Sequence, residues 1–341
     1  MRLVVVGATG AVGLEMLRIL EEKDLPGEVV PVASARSAGR SLPFKDDQIE
    51  VQELTPDVFR DGDLALFDVP DEVSEEWAPI AASKGAIAID NSAAFRMDPE
   101  VPLVVPEVNP KDAFERPKGI IASPNCTTLA MVVPTAALHE RAGLQRLILA
   151  SYQAASGSGR GGVTELWGQT LDATEWPDHV NVGLGRKAVA AGEMYPHPIS
   201  FNVIPHCGSV KEDGYTSEEL KLCYETRKIM SLPELRVTAT CVRVPVVVGH
   251  GVAVHAEFSQ PITPEEARAI FTEAPGVELV DDVAQGVYPT PLEAAGRDPV
   301  YVGRIRRDLF DDRSLTYFCV ADNLRKGAAL NTVQIAELLT R

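Results

Sequence analysis

The chain begins MRLVVVGATGAVGLEMLRILEEKDLPG (residues 1–27), and this stretch decides the fold of the first domain. Leu3 to Val6 form a short, continuous apolar run of the kind that is buried in a parallel sheet. A glycine-rich turn follows, and apolar residues then recur at helical spacing until Pro26-Gly27 ends the helix. A strand, a glycine turn and a helix in this order predict the first unit of an α/β sheet.

Strand and helix signals keep alternating beyond this unit. Residues 28–34, 63–69 and 86–92 are strand candidates, and SEEWAPIAASKG (residues 74–85) is a helical segment between the last two. Strands that alternate with helices predict a Rossmann-like, doubly wound parallel sheet with right-handed crossovers.

The sequence changes character at about residue 123. A helix candidate is followed by a strand, a loop-rich middle section, and a long alternating stretch at 236–259 that is typical of antiparallel strands. A strand at 315–322 and an amphipathic helix at 327–339 end the chain. We therefore predict an NADP-binding domain at 1–122, completed by a C-terminal helix at 324–341. The second domain, 123–323, is predicted to be mixed α+β.

The composition of the chain limits which functions are plausible. A chain of 341 residues suggests two domains, and an apolar content of 45% is that of an ordinary globular protein. The formal charge of −17 argues against nucleic acid and anionic membranes as partners. We expect no signal peptide and no membrane span. The five cysteines are scattered without CxxC spacing, which favours neither a disulfide framework nor a metal site and suggests a reducing cytoplasm.

The glycines of the first turn have the spacing G-x-x-G-x-x-G. Such a turn lets backbone N–H groups approach a pyrophosphate at a helix N-terminus. The alternative is that the glycines serve only close packing. The position of the turn at the start of a βαβ unit favours a dinucleotide, and the candidate binding residues are Gly7, Thr9, Gly10, Ala11, Val12 and Gly13.

The end of the second strand bears on the choice of cofactor. An NAD site usually has an acidic residue here for the ribose 2′-hydroxyl. This chain has Ser34, Ala35, Arg36 and Ser37 instead. A guanidinium with two hydroxyls suits a 2′-phosphate, which favours NADP; the alternative is that Arg36 is only a solvated surface charge.

SPNCTT (residues 123–128) places Cys126 between two apolar runs. Such a cysteine is either a small core residue or a nucleophile. If the following helix begins at Asn125 or Cys126, the sulfur lies at its positive end, which favours the thiolate. The polar neighbours Thr127 and Thr128 are not needed at a purely structural site, so the sequence favours the nucleophile.

Several segments together resemble one known family, aspartate-β-semialdehyde dehydrogenase. They span essentially the whole chain, in the order GATGAVG, ASARSAGR, NSAAFRMD, SPNCTT, SYQAASGSG, EELKLCYETRKI, RVPVVVGH and DNLRKGAALNTVQIAE. The resemblance implies reversible, NADP-dependent reductive dephosphorylation of L-4-aspartyl phosphate to L-aspartate 4-semialdehyde. It also implies a homodimer, and a place in lysine (through diaminopimelate), threonine, methionine and isoleucine synthesis.

The resemblance also implies roles for individual residues. Cys126 would form an acyl-thioester, and His250 would be the general acid/base, since imidazole carries protons near neutrality. Gln153 would orient the substrate. The nicotinamide would be lined by Ser156, Gly157 and Asn323. Without the family, His250 and Asn323 would be interpreted as turn residues.

The substrate carries several charges, and the chain offers a group for each. The planar guanidinium of Arg243 suits the α-carboxylate. The α-ammonium would be bound by Glu218, or by Glu219 if the register differs. The phosphate would be bound by Arg96, Lys221 and the Asn125 amide. The alternative for Glu218 and Lys221 is an ordinary i,i+3 surface pair.

Other interpretations remain open from the sequence. N-acetyl-γ-glutamyl-phosphate reductase has similar chemistry, but its cysteine region differs and its acetylated substrate gives Glu218 no ammonium to bind. Glyceraldehyde-3-phosphate dehydrogenase shares only the CTT. From other classes, the chain could be a catalytically silent NADP sensor or an acyltransferase that uses a Cys/His pair without redox chemistry. The sequence predicts no role for residues 167–200 or for the other four cysteines, which are most simply structural.

Overall fold

A computed structural model describes residues 1–173 and 191–340. The chain divides into two compact units. The first unit comprises Met1–Ala136, Tyr224–Glu234 and Leu324–Arg341, and the second comprises Ala137–Cys223 and Leu235–Asn323. This division differs from the predicted boundary because residues 123–136 and 224–234 belong to the first unit. Part of the 167–200 segment, residues 174–190, lies outside the described residues.

The first unit is built on a parallel sheet. Within the described residues it has six strands in the order β5-β2-β1-β6-β7-β8, and a separate hairpin is formed by β3 and β4. The strands are β1 (Arg2–Val6), β2 (Glu28–Ala33), β3 (Ser41–Phe44), β4 (Asp47–Glu50), β5 (Gln52–Glu53), β6 (Leu64–Phe67), β7 (Ile87–Asp90) and β8 (Ile120–Ala122). The helices are α1 (Ala11–Lys23), α2 (Asp71–Ser83) and the start of α3 (Cys126–Ala142).

The pattern of burial explains why β1 lies inside this sheet. Every residue of β1 is buried, and β2 and β6 pair with it in parallel on either side. The buried side of α1, which includes Met16 and Ile19, packs in the same core as Leu3 and Val5. The predicted doubly wound parallel sheet is therefore confirmed.

The second unit is built on a mixed sheet, as predicted. Its described strands follow the order β10-β9-β11-β14-β13-β12. They are β9 (Leu144–Gln153), β10 (Arg236–Arg243), β11 (His250–Phe258), β12 (Val277–Leu279), β13 (Val300–Arg307) and β14 (Ser314–Ala321). The helices are α4 (Gly159–Ala173), α5 (Ser217–Ile229), α6 (Pro264–Glu273) and α7 (Pro291–Ala294), of which α5 continues into the first unit.

The prediction of antiparallel pairing for residues 236–259 is wrong in part. β10 pairs with β9 in parallel, and β11 pairs with the other edge of β9 in the antiparallel sense. β10 and β11 are therefore not neighbours. The linking segment instead hydrogen-bonds to the end of β9 and the residues after it: Val244 N–H donates to Gln153 O, and Ala155 N–H donates to Val246 O.

The chain ends with a buried π-helical turn (Arg325–Ala329) and α8 (Leu330–Thr340), which complete the first unit. Val333 and Ile335 of α8 are buried in the same core as α1. Arg325 forms ion pairs with Glu15 (2.7 Å) and Glu22 (2.6 Å) of α1. Across the described residues, every helix is too short or too polar to cross a bilayer.

Candidate active site

The glycine turn after β1 has no room for larger side chains. Gly7 has φ +94°, and a Cβ added there would collide with the carbonyl oxygen of Asp68. A Cβ added at Gly13 would collide with the carbonyl oxygen of Gly7. The turn is thus tightly closed, with Gly10 N–H donating to Gly7 O at 2.9 Å.

The start of α1 fits a pyrophosphate. Gly10 is the N-cap and supplies no side-chain acceptor, and the first turn of α1 contains no acidic residue. Gly10 and Ala11 are exposed. The first N–H groups of a helix have no partner within the helix and favour anions, so residues 11–13 offer donors to a dinucleotide phosphate.

The segment after β2 forms a turn in which Ser37 N–H donates to Ser34 O at 2.8 Å. Ser34 and Arg36 are exposed, whereas Ser37 is buried. Within the described residues, no carboxylate lies within salt-bridge distance of Arg36. Its guanidinium is therefore available to a phosphate.

Cys126 is the first residue of α3 and is partly buried. Asn125 caps the helix, because its Oδ1 accepts from the N–H groups of Thr127 (2.9 Å) and Thr128 (3.3 Å). The cap fixes the cysteine backbone at the positive end of a long helix. This position favours an ionised sulfur.

Arg96 is buried in the first unit and is firmly held there. Its Nε donates to Ser123 O at 2.9 Å, and its Nη2 donates to Asn91 O at 2.7 Å. Its Nη1 lies 3.1 Å from Oε1 of Glu225, which forms an ion pair with it. The predicted phosphate ligand thus already shares its charge with a carboxylate.

In the second unit, three neighbouring strands place Gln153, Arg243 and His250 at the same end of the sheet. Gln153 ends β9 and is directly opposite Arg243 at the end of the parallel β10. His250 begins β11, which runs antiparallel on the other side of β9. All three side chains are buried. Sheet topology therefore gathers residues that are far apart in the sequence.

The contacts of His250 define its tautomer. Ala154 N–H donates to Nδ1 at 3.0 Å, so Nδ1 carries the lone pair and the proton lies on Nε2. Nε2 is buried and has no partner within the described residues. Burial, reinforced by the Arg243 guanidinium and opposed by Glu218, lowers the pKa of His250 to about 3. The ring is therefore neutral at physiological pH, with a buried N–H donor available.

The residues predicted to line the nicotinamide lie close to this histidine. A Cβ added at Gly157 would lie 2.7 Å from Arg243 Nη1 and 3.0 Å from His250 Nε2, so a larger residue there would require these side chains to shift. Asn323 Nδ2 donates to Ser156 Oγ at 2.9 Å. Asn323 Oδ1 accepts from Gly249 N–H at 2.9 Å, which ties the end of the chain's last strand to the turn before His250.

Glu218 and Lys221 lie in the first turns of α5. Lys221 Nζ donates to Glu218 Oε1 at 2.7 Å, so the two residues form the i,i+3 pair that was the alternative interpretation. The carboxylate of Glu219 accepts from the N–H groups of Thr216 (2.7 Å) and Cys241 (3.0 Å). Glu219 thus holds the start of α5 and strand β10.

The other cysteines differ from Cys126. Cys207, Cys241 and Cys319 are buried, and burial raises the pKa of the Cys241 and Cys319 thiols. Neutral, buried thiols are poor nucleophiles. Cys223, within α5, is partly buried.

Sequence reasoning missed two carboxylates, Asp68 and Glu225. Asp68 follows β6 next to the glycine turn; a Cβ added at Gly10 would lie 3.9 Å from its Oδ2. Burial raises the pKa of the Asp68 carboxyl, against the effect of the hydrogen bond from Asn91. The signal for Asp68 was its position at the carboxyl end of a buried strand. Glu225 gave no comparable local signal.

Comparison with known proteins identifies the family to which the chain belongs. Residues 2–115 match the semialdehyde dehydrogenase NAD binding domain, and residues 135–326 match the semialdehyde dehydrogenase dimerisation domain. Aspartate-semialdehyde dehydrogenase of Aquifex aeolicus is 46% identical, covering 100% of this chain and 98% of the relative. The enzyme of Streptomyces akiyoshiensis is 49% identical, covering 99% and 98%.

A solved structure agrees with these sequence matches. Aspartate semialdehyde dehydrogenase II from Vibrio cholerae, complexed with ASA, has a TM-score of 0.91 and 40% identity, covering 100% of this chain and 98% of that one. The chain belongs to the aspartate-semialdehyde dehydrogenase family.

Proposed function

We propose that this enzyme catalyses the reversible, NADP-dependent interconversion of L-4-aspartyl phosphate and L-aspartate 4-semialdehyde, through an acyl-thioester on Cys126. The observation that carries the proposal is the position of Cys126 at the capped N-terminus of α3. The full-length similarity to aspartate-semialdehyde dehydrogenases supplies the substrate.

In the phosphorylating direction, the Cys126 thiolate adds to the aldehyde carbon and forms a tetrahedral hemithioacetal. The cofactor, when bound, would supply the hydride acceptor that this oxidation requires. A thioester remains on the sulfur. Phosphate oxygen then attacks the thioester carbonyl, the C–S bond breaks, and aspartyl phosphate leaves with the thiolate restored. Splitting one difficult transfer in this way lowers each barrier.

His250 begins the reaction as a neutral hydrogen-bond donor. Because Ala154 N–H occupies Nδ1, the free donor is the proton on Nε2. We assign this N–H to the substrate oxygen that gains negative charge when sulfur adds. To act as a base, as the general acid/base assignment also requires, the ring must first release the Ala154 N–H.

The remaining substrate contacts follow from charge. We assign the α-carboxylate to Arg243, the α-ammonium to Glu218 and the phosphate to Arg96 and Lys221, with Gln153 and Asn125 orienting the reacting groups. In this proposal the α-ammonium and the phosphate replace the contact that Glu218 and Lys221 make with each other.

We assign NADP, rather than NAD, to the glycine turn and to Ser34, Arg36 and Ser37. Arg36 is exposed and has no acidic partner in the part of the chain that the structure describes, which supports this choice. Aspartate semialdehyde dehydrogenase from Candida albicans, 25% identical with a TM-score of 0.72, was solved with NADP. Ser156, Gly157 and Asn323 are assigned to the nicotinamide side.

We further propose a homodimer, supported by the dimerisation-domain match, and a role in lysine (through diaminopimelate), threonine, methionine and isoleucine synthesis. The five cysteines are all free of disulfides, which supports a reducing cytoplasm as the location.

One assay tests the proposed reaction. Protein, aspartate semialdehyde, phosphate and NADP⁺ are mixed, and reduced-cofactor absorbance is followed. Parallel mixtures omit phosphate, replace NADP⁺ with NAD⁺, or use the semialdehyde of N-acetylglutamate. Sustained, phosphate-dependent reduction is expected with the aspartyl substrate. Turnover only with the acetylated substrate would identify the reductase alternative, and no signal in any mixture would favour a sensor or an acyltransferase.

The covalent step has its own test. Cys126→Ser should lose activity by several orders of magnitude, because an alkoxide forms far less readily than a thiolate at neutral pH. Near-normal turnover by Cys126→Ala would contradict the thioester.

A further inference from the structure

Glu225 and Lys228 are two of the charged residues in the segment EELKLCYETRKI to which the proposed reaction gives no role. They are three residues apart in the last turns of α5, and so lie on the same side of the helix. Both belong to the first unit, which also contains Cys126 and Arg96.

Glu225 is a buried carboxylate, 1% exposed. Its Oε1 accepts from Arg96 Nη1 at 3.1 Å, and its Oε2 accepts from the backbone N–H of Asn125 at 2.7 Å. A buried charge needs both a counter-charge and hydrogen bonds. Here the two partners are the predicted phosphate ligand and the residue that caps the Cys126 helix.

Lys228 binds the backbone of the segment that contains Arg96. Its Nζ donates to three backbone carbonyls, those of Arg96 (2.8 Å), Asp98 (2.7 Å) and Val101 (2.7 Å). These bonds fix the backbone that carries Arg96. Glu225 binds the guanidinium itself, so two residues of one helix help to hold Arg96, together with the carbonyls of Ser123 and Asn91.

The charge of Glu225 also has an electrostatic effect. A carboxylate that shares Arg96 reduces the positive potential that this arginine presents to another anion. The Glu225 carboxylate is also bonded to the N–H of Asn125, the residue that precedes Cys126 at the N-terminus of α3. A negative charge at this position opposes ionisation of the cysteine thiol. The hydrogen bonds of Glu225 therefore order the residues around Arg96 and Cys126, whereas its charge weakens the binding of anions there.

We propose that Glu225 is a positioning residue that fixes Arg96 and the start of α3 while moderating their affinity for anions, so that phosphate binds, reacts and leaves. The phosphate part of this inference rests on the proposed function.

Glu225→Gln removes the charge but keeps the size and one of the two accepting oxygens. We expect the phosphate KM to fall about 10-fold, as Arg96 regains its full charge. We also expect the pH midpoint of Cys126 alkylation by iodoacetamide to move down by about one unit, followed by mass spectrometry of the peptide that contains Cys126. Glu225→Asp keeps the charge and should leave the alkylation midpoint near that of the wild type.

Glu107→Gln is the matched control. Glu107 is another buried carboxylate of the first unit, and its Oε2 lies 2.7 Å from Lys326 Nζ. Its replacement should lower the melting temperature but leave the Cys126 alkylation midpoint unchanged. A structural role for Glu225 would give the same pattern in Glu225→Gln as in this control.

The role of Glu225 and the proposed reaction can be contradicted independently. The inference is overturned if folded Glu225→Gln has an unchanged or higher alkylation midpoint, or an unchanged phosphate KM in an active enzyme. Alkylation needs no turnover, so it reports on Glu225 even if the reaction is different. A wild-type protein that reduces no cofactor with aspartate semialdehyde overturns the proposed function instead.

Discussion

Arg96 in the first unit and Arg243 in the second are both buried arginines, but their charges are handled differently. Arg96 forms an ion pair with Glu225 and donates to two further carbonyls. The side chain of Arg243 makes one hydrogen bond within the described residues, from Nη1 to Ala154 O at 2.7 Å, and no carboxylate there lies within salt-bridge distance.

The difference indicates two kinds of anion site. A buried cation without a counter-charge costs stability, and an enzyme keeps it because a ligand supplies the missing charge. Arg243 has this property, which suits a substrate carboxylate that must be held throughout the reaction. Arg96 is already compensated, which suits an anion that has to arrive and depart.

The largest expected effects come from replacing each arginine by methionine. Arg243→Met should lose about 10²- to 10³-fold in kcat/KM for the semialdehyde, because the carboxylate loses its partner. Its stability should be unchanged or higher, since an uncompensated charge is removed. Arg96→Met should instead lose about 3–5 kcal/mol of unfolding free energy, because Glu225 is left buried and unpaired.

Denaturant unfolding of the two variants, alongside steady-state kinetics, checks this contrast. Equal losses of stability in both variants would break the comparison, since both arginines would then be structural. Full activity in a folded Arg243→Met would also contradict the assignment of the α-carboxylate.

Arg36 adds an exposed arginine to the comparison. Arg36→Ala should raise the KM for NADP about 10- to 100-fold, because a charge-assisted hydrogen bond to the 2′-phosphate is lost. The KM for NAD, which lacks that phosphate, should change little. The NADP/NAD ratio is therefore the quantity to measure, and Arg40→Ala in the same exposed segment serves as the control. A parallel change for both cofactors would exclude 2′-phosphate recognition by Arg36.

The environment of Arg243 also determines how His250 responds to acid. The pKa of His250 is lowered to about 3 by burial and then by Arg243, against an ordinary value of 6.5. Between these values the unfolded chain binds a proton that the folded chain does not. Stability should therefore fall as the pH drops, by about 1.4 kcal/mol per unit for this one group.

His250→Asn should remove that part of the slope. The free energy of unfolding of the wild type and the variant, measured between pH 6 and pH 4, gives the difference directly. Above about pH 7.5 the difference should be constant, because histidine is neutral in both states. Identical slopes would show that His250 titrates normally in the folded protein.

The smallest expected effect concerns a negative charge. Asp68 lies beside the glycine turn, and burial raises the pKa of its carboxyl. Asp68→Asn should improve NADP affinity about 2- to 5-fold, because repulsion of the pyrophosphate is removed. The gain should shrink as the pH falls, because protonation of the wild-type carboxyl removes the repelling charge. NADP affinity is measured by calorimetric titration. Glu72→Gln, on the exposed start of α2, is the control for the loss of a surface negative charge.

Local sequence determined what could be predicted. The run Leu3 to Val6, the glycine turn and the apolar spacing of α1 predict a βα unit because strand, turn and helix signals are all short-range. The helix start at Cys126 was predictable for the same reason, since a capping asparagine precedes it.

What the sequence could not reveal depends on contacts between distant residues. The insertion of β9 between β10 and β11 depends on which strands meet in the folded sheet. Glu225 is 100 residues from Asn125 and 129 from Arg96, so its burial has no signature in its own segment. The tautomer of His250 is set by the Ala154 N–H, which the sequence places 96 residues away.

The central claim is that the sulfur of Cys126 carries the aspartyl group. The most direct measurement mixes the enzyme with aspartate semialdehyde and NADP⁺ in the absence of phosphate, quenches it in acid, and maps the adduct by peptide mass spectrometry. The account predicts one acyl group on the peptide that contains Cys126, formed together with a stoichiometric burst of reduced cofactor and discharged by added phosphate. An acyl group on another residue, or a burst of reduced cofactor with no adduct on Cys126, would contradict it.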